Sequence, residues 1–250
     1  MSWRGVLAAE WVKLRSIRSV NLTVLLGVLA AGAFEAIGYA SKPTASELAR
    51  GFDPVRIGYS GGFLIAVLVI GTLGVLTMSS EYGTGSIRTT FTAVPRRQAV
   101  LAAKATVLGV LSLAIGELLA FVIFFIGQSI LSDWQLSVGL GDPGALRAVV
   151  GAGVFLGVIA LIGLALGTLV KRSAAAVSAL FALLFVAPLL AGALGDEVAK
   201  WTLMSALQAM TSTGTARSSW PTPSMAFVEC AGYLVVLLSA AALAVARRDV

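Results

Sequence analysis

Six long apolar runs decide most of what this chain can become. A helix rises about 1.5 Å per residue, so roughly 20 apolar residues cross a ~30 Å hydrocarbon core. The runs cover residues 20–39, 61–78, 105–131, 149–170, 174–194 and 228–245. The composition agrees, with 58% hydrophobic residues, 12% charged residues and a mean hydropathy of +0.94. A transmembrane barrel would instead read as short alternating segments. The sequence predicts an all-α integral membrane protein with six transmembrane helices. Pro188 lies inside the fifth run, where a proline kinks a helix. The fourth and fifth runs are separated only by Lys171, Arg172 and Ser173, a tight hairpin.

The basic residues orient the bundle. With the N-terminus in the cytoplasm, the inner side carries Arg4, Lys13, Arg15, Arg18, Arg88, Arg96, Arg97, Lys104, Lys171, Arg172, Arg247 and Arg248. The outer side carries Lys42, Arg50, Arg56, Arg147, Lys200 and Arg217. Twelve of the 18 basic residues are then inside, as the positive-inside rule requires, and both termini are cytoplasmic. Residues 1–20 lack the layout of a cleaved signal peptide, so the first run is expected to stay as a span. The outer segments are short. The largest, 195–227, reads as a surface or re-entrant segment: "WTLMSALQAM" as a short helix at the outer face, then a turn-rich stretch.

Several function classes drop out. The net charge of +6 would suggest nucleic acid in a soluble chain, but basic ends of spans account for it here. Cys230 is the single cysteine and there is no histidine, which removes internal disulfides, cysteine–histidine metal centres and histidine catalysis. No metal site is expected. An intramembrane enzyme would need paired acids or a nucleophile with its base. Only Glu35 and Glu117 lie well inside spans, with Glu229 at an outer edge.

Polar residues in the spans are expensive and draw attention. Glu117 lies near the middle of the third run, with Gln128 further out on the same helix, and Glu35 lies near the outer end of the first. These three are candidates for a substrate path, or for hydrogen bonds that tie helices together. The pairs Gly153 with Gly157 and Gly163 with Gly167 are read as packing positions. Ahead of the first span, Trp3, Leu7, Trp11 and Leu14 recur three or four apart, with Arg4, Lys13 and Arg15 mostly on the other side. That pattern suits a helix lying in the inner interface, over 1–19.

The stretch "SSEYGTGSIRTTFTAVPRRQAVLAAK", residues 79–104, is polar between two spans. Its "GTG" is no phosphate loop: that motif needs a lysine after a glycine, and the lysines follow Val12, Ser41, Ala103, Val170 and Ala199. Ile87, Thr90, Phe91 and Val94 fall at i, i+3, i+4 and i+7, one ridge of a short helix. Thr84 or Ser86 is placed to cap its start, and Pro95 ends it. Such a ridge, with Arg88, Arg96 and Arg97 at its rim, is suited to docking in a groove. A solvated basic loop is the plainer reading.

These features, in order along the chain, resemble the permease subunits of ABC-2 transporters, the membrane half of ATP-binding-cassette exporters. They are "AAEWVKLRSIRS", six spans with both ends inside, "SEYGTGSIRTTFTAVPRRQAVLAAK" after the second span, and "ARRDV" at the end. The third is the most specific. In that family a glutamate and a Gly-Thr step leave the second span, a short coupling helix follows, and a Pro-Arg pair leads into the third. Here those are Glu81, Gly83 with Thr84, 87–94, and Pro95 with Arg96, with Lys104 at the start of the third span.

The resemblance implies an elbow helix over 1–19, with Trp3, Trp11, Lys13 and Arg15, and a coupling region over 81–97. It implies two copies of a separate ATPase subunit, which carry the ATP and Mg, so that this chain binds no cofactor itself. A second permease, identical or homologous, would complete the complex. Glu81, Thr84, Ile87, Arg88, Phe91, Val94, Pro95, Arg96 and Arg97 would meet the ATPase. The composition is similar to that of actinobacterial members, which implies a bacterial plasma membrane. The short outer loops suggest a small amphipathic, drug-like or lipid-like cargo. The main alternative is a secondary transporter driven by an ion gradient through Glu117. A membrane scaffold without transport is a further one.

Overall fold

Within a bilayer each backbone N–H and C=O must be satisfied inside its own segment, so apolar runs of this length become helices. The computed structural model describes residues 3–16, 29–30, 32–33, 52–59, 61–94, 97–214 and 221–247, and these contain helices and no strand. The amphipathic N-terminal segment is α1, Trp3–Ser16. The bundle proper is built from α2 (Phe63–Thr84), α4 (Arg97–Ser132), α5 (Ala145–Val170), the rod Ser173–Leu194, and α10 (Pro223–Arg247). Between α2 and α4 lies the short α3, Ser86–Ala93. The rod comprises α6 (Ser173–Phe181), a π-helical turn Ala182–Val186 and α7 (Ala187–Leu194). The small helices α8 (Asp196–Ala199) and α9 (Leu203–Thr211) precede α10.

Among the described residues five helices are thus long and apolar enough to span, counting Arg56–Thr84 as one. Of the predicted first span, 20–39, only residues 29–30 and 32–33 are described, as helix, and Glu35 lies outside the described residues. Pro188 is the second residue of α7, and the π turn directly before it is where the ladder widens around the missing N–H.

The hub is α5, buried along most of its length. It crosses α2 so closely that a Cβ at Gly74 would overlap the carbonyl oxygen of Ala160. A Cβ at Gly163 would overlap that of Gly71, and one at Gly167 that of Val75. The small residues therefore bring two backbones together, which is how helices gain contact where no hydrophobic drive separates lipid from protein. On its other side α5 meets α4, where a Cβ at Gly116 would lie 2.7 Å from the Gly153 carbonyl oxygen.

Two boundaries beside α3 and one placement differ from the sequence expectation. The second span continues as helix to Thr84 instead of stopping at 78, and α4 begins at Arg97 instead of 105. At 36 residues α4 is about 54 Å long, well beyond what a ~30 Å hydrocarbon core requires. The segment at 203–211 does not lie flat on the outer face. Leu203, Ala206, Leu207, Ala209 and Met210 are buried, with Met210 against Gly151 of α5 and its sulfur 3.9 Å from Cys230 Sγ of α10.

Asp53 ties the turn before α2 to the segment after α9. One carboxylate oxygen accepts the N–H groups of Val55 and Arg56 at 3.1 Å, and the other accepts Thr213 N–H at 2.7 Å. Burial would raise its pKa, but these donors outweigh it and hold the carboxyl below its ordinary value. Arg147 adds a 2.8 Å hydrogen bond to the Ser212 carbonyl.

Candidate functional site

The site is the junction where α1, α2, α3 and α4 meet. Its local geometry begins at Gly85, which ends α2 and starts α3 with φ of +73°, a left-handed conformation that glycine adopts without penalty. The cap is therefore this backbone turn and not the side chain of Thr84 or Ser86. Thr84 Oγ1 instead donates to the Ser80 carbonyl at 2.9 Å. At the far end α3 stops at Ala93, and Val94 is extended, as a residue before proline prefers.

Beneath α3 four charges form a closed ring. Lys104 Nζ lies 2.6 Å from Glu10 Oε2 and 2.6 Å from Glu81 Oε1. Lys13 Nζ lies 3.1 Å from Glu10 Oε1 and 3.1 Å from Glu81 Oε1. Lys13 also donates to Thr90 Oγ1 of α3 at 3.2 Å, and Thr90 donates to the Ser86 carbonyl. Lys104 is 1% exposed and Glu10 2%. Two acids and two bases cancel, with Glu10, Glu81 and Lys104 under cover and Lys13 partly exposed, which is what allows the three buried charges to stay where any one alone would be prohibitive. Burial would depress the Lys13 ammonium's pKa, but the Glu10 and Glu81 carboxylates outweigh it and hold it above the usual lysine value. Close by, Lys171 of the α5–α6 hairpin lies 5.2 Å from the Tyr82 ring centroid, and Ser79 and Ser173 hydroxyls are 2.9 Å apart.

The ring collects three of the predicted residues, Glu81, Lys13 and Lys104, and adds Glu10, which the sequence reading passed over. A signal for it was present: Glu10 follows Val6 by four and precedes Lys13 by three, and these three form the inward stripe of α1. Trp3 and Trp11 point away, 47% and 46% exposed. Glu10 and Lys13 of α1 thus face protein, while Arg4 and the two tryptophans face the surroundings.

Two residues of the expected α3 ridge, Ile87 and Thr90, face the chain's own interior. Ile87 is 2% exposed and belongs to the chain's own core, and Thr90 is held by Lys13. A helix with weak internal propensity needs such packing to persist. The outward face is instead Arg88, Thr89 and Thr92, continued by Gly83, Thr84 and Gly85. Val94 and Arg97 are partly buried. Pro95, Arg96 and the side chains of Phe91 and Arg15 lie outside the described residues.

The predicted substrate-path residues are not brought to this junction. Gln128 braces the outer turns, donating to the Pro54 carbonyl at 3.2 Å and accepting Val138 N–H at 2.8 Å, so its amide is committed to main chain. Glu117 lies in α4 against Gly153 of α5, where a Cβ would come within 2.6 Å of its carboxylate oxygens. Its Oε2 is buried without a hydrogen bond among the described residues. Glu229, expected at an outer edge, is buried in α10 with both oxygens likewise unmatched. Among the described residues no cluster of acids or cysteine fits a metal ion.

Comparison with known proteins places this architecture. No curated protein sequence matches the chain. The profile of the ABC-2 family transporter proteins matches residues 6–188, from α1 through the junction and the α5–α6 hairpin into α7. A match over that much of a multi-pass helical chain shows that it belongs to the ABC-2 family of transporter proteins and is a transmembrane permease of an ABC-type transporter.

Proposed function

We propose that this chain is the permease of an exporter that moves small amphipathic, drug-like or lipid-like cargo outward across a bacterial plasma membrane. ATP hydrolysis on a separate ATPase subunit drives it, and that subunit docks on α3. Two ATPase copies with their ATP and Mg, and a second permease, identical or homologous, complete the complex. Both termini and α1 lie on the cytoplasmic side, α1 acting as an elbow helix in the interface.

The observation that carries this reading is the setting of α3. It hangs from the inner ends of α2 and α4, keeps Ile87 in the core, and leaves Arg88, Thr89 and Thr92 exposed. A helix held rigidly from behind and open in front is suited to passing a push from a partner into the spans. Arg88→Glu reverses charge on that face without touching the core. In a complex reconstituted with its ATPase, it should abolish stimulation of ATP hydrolysis by the permease while the melting temperature stays unchanged. Stimulation at the wild-type level would overturn the docking assignment. ATP-dependent outward movement of an NBD-labelled phospholipid in proteoliposomes tests the cargo class.

A second reading, a secondary transporter coupled through Glu117, draws on the unmatched Glu117 Oε2. Transport by the permease alone under an ion gradient, lost in Glu117→Gln, would favour it.

A further inference from the structure

Lys13 is the point where three helices meet on one ammonium. It touches Glu10 of its own helix α1, Glu81 of α2 and Thr90 of α3, all within 3.2 Å. Thr90 has turned its proton toward the Ser86 carbonyl, so its lone pairs are left to accept from Lys13. Behind Lys13, Glu10 passes the linkage to Lys104 of α4. The ring therefore connects the exposed-face helix α3 to α1 by a hydrogen bond from a partly exposed cation, and α1 to α4 by the fully buried Glu10–Lys104 ion pair. Among the described residues, α1 is packed on one side only; Trp3, Trp11 and Val12 on its other side are exposed. A helix so tied would follow its neighbours while its tryptophans slide along the interface.

We propose that Lys13 is a positioning residue that makes α1 a driven element: a displacement of α3 is handed through Lys13 to α1 and, by Glu10, to the start of α4, so that α1 and α3 move as one body. This rests on the ATP-driven reading above. A ring serving only as a static anchor would leave no such dependence on Lys13.

The test uses the permease–ATPase complex in lipid nanodiscs, with Cys230→Ala as background and nitroxide labels on exposed sites. One pair, Ala8→Cys with Thr92→Cys, reads α1 against α3. The other, Thr92→Cys with Ala175→Cys, reads α3 against the base of α6. Trapping with ATP and Mg should change the 92–175 distance and leave the 8–92 distance fixed. In Lys13→Met the 92–175 change should persist, the 8–92 distance should now vary with nucleotide, and stimulation of ATP hydrolysis by the permease should fall about tenfold, within the usual range of coupling between sites. Lys13→Arg should restore both, which a mere loss of stability would not allow. A Lys13→Met complex with a fixed 8–92 distance and full stimulation overturns this inference and leaves the ATP-driven reading standing. No nucleotide response at 92–175 with Lys13 intact overturns that reading, and this inference with it.

Discussion

The junction of α1 to α4 and the interior of the spans treat charge differently. At the junction, Glu10, Glu81, Lys13 and Lys104 are drawn from three helices and matched within 3.1 Å. Inside the spans, Glu117 Oε2 and both oxygens of Glu229 meet no donor among the described residues, whereas at the junction Glu81 leaves only Oε2 unmatched and takes both lysines on Oε1. The contrast teaches which charges hold the bundle. A matched buried cation is costly to remove because its partners stay behind, whereas an unmatched acid contributes no bond to lose.

The largest expected effect tests the first half of that comparison. Lys104→Met leaves Glu10 and Glu81 facing each other under cover, a loss of about 3–5 kcal/mol in stability, read as a collapse of the melting transition in detergent or nanodiscs. Neutralising the acids as well, in Glu10→Gln/Glu81→Gln/Lys104→Met, should recover most of it. Failure of that recovery would show that the ring's shape, and not its charge balance, carries the stability. A smaller effect is expected at the Asp53 clamp. Asp53→Asn weakens three hydrogen bonds from main-chain N–H groups and should lose about 1–3 kcal/mol. Because the folded Asp53 carboxyl lies below its unfolded value, its contribution is present above the ordinary carboxylate range and is lost as pH falls through the lowered value. Melting of Asp53→Asn should therefore vary less with acid than that of the parent. The smallest effect belongs to the membrane acids. Glu117→Gln and Glu229→Gln should shift stability by no more than about 0.5 kcal/mol, or raise it. A loss several times larger at either would mean that the side chain has a partner and would erase the contrast.

The glycines of α2 and α5 show how far sequence reading reaches. Gly163 and Gly167 were legible as packing positions, but not that their partners would be Gly71 and Val75, because spacing within one helix says nothing of which helix it will cross. The helix at 86–93 was legible from its i, i+3, i+4, i+7 ridge. Its facing was not: an apolar stripe fits a partner's groove and the chain's own core equally well, and Ile87 found the nearer one. Glu10 was missed for a related reason. In a segment read as basic and interfacial, one acid looks like part of a solvated face until Lys104, 94 residues away, arrives beside it.

What the sequence determined alone was the class of the molecule: apolar runs long enough to span, basic ends, and a polar segment at 79–104 that carries a family pattern. These follow from length, hydropathy and local spacing, which act within a segment. The tertiary structure decided which face of α3 points outward, that α9 is buried and not superficial, and that Glu10, Lys13, Glu81 and Lys104 close into a ring. Those outcomes depend on pairings between residues far apart in the chain, where desolvation and mutual attraction are settled only once the helices have met.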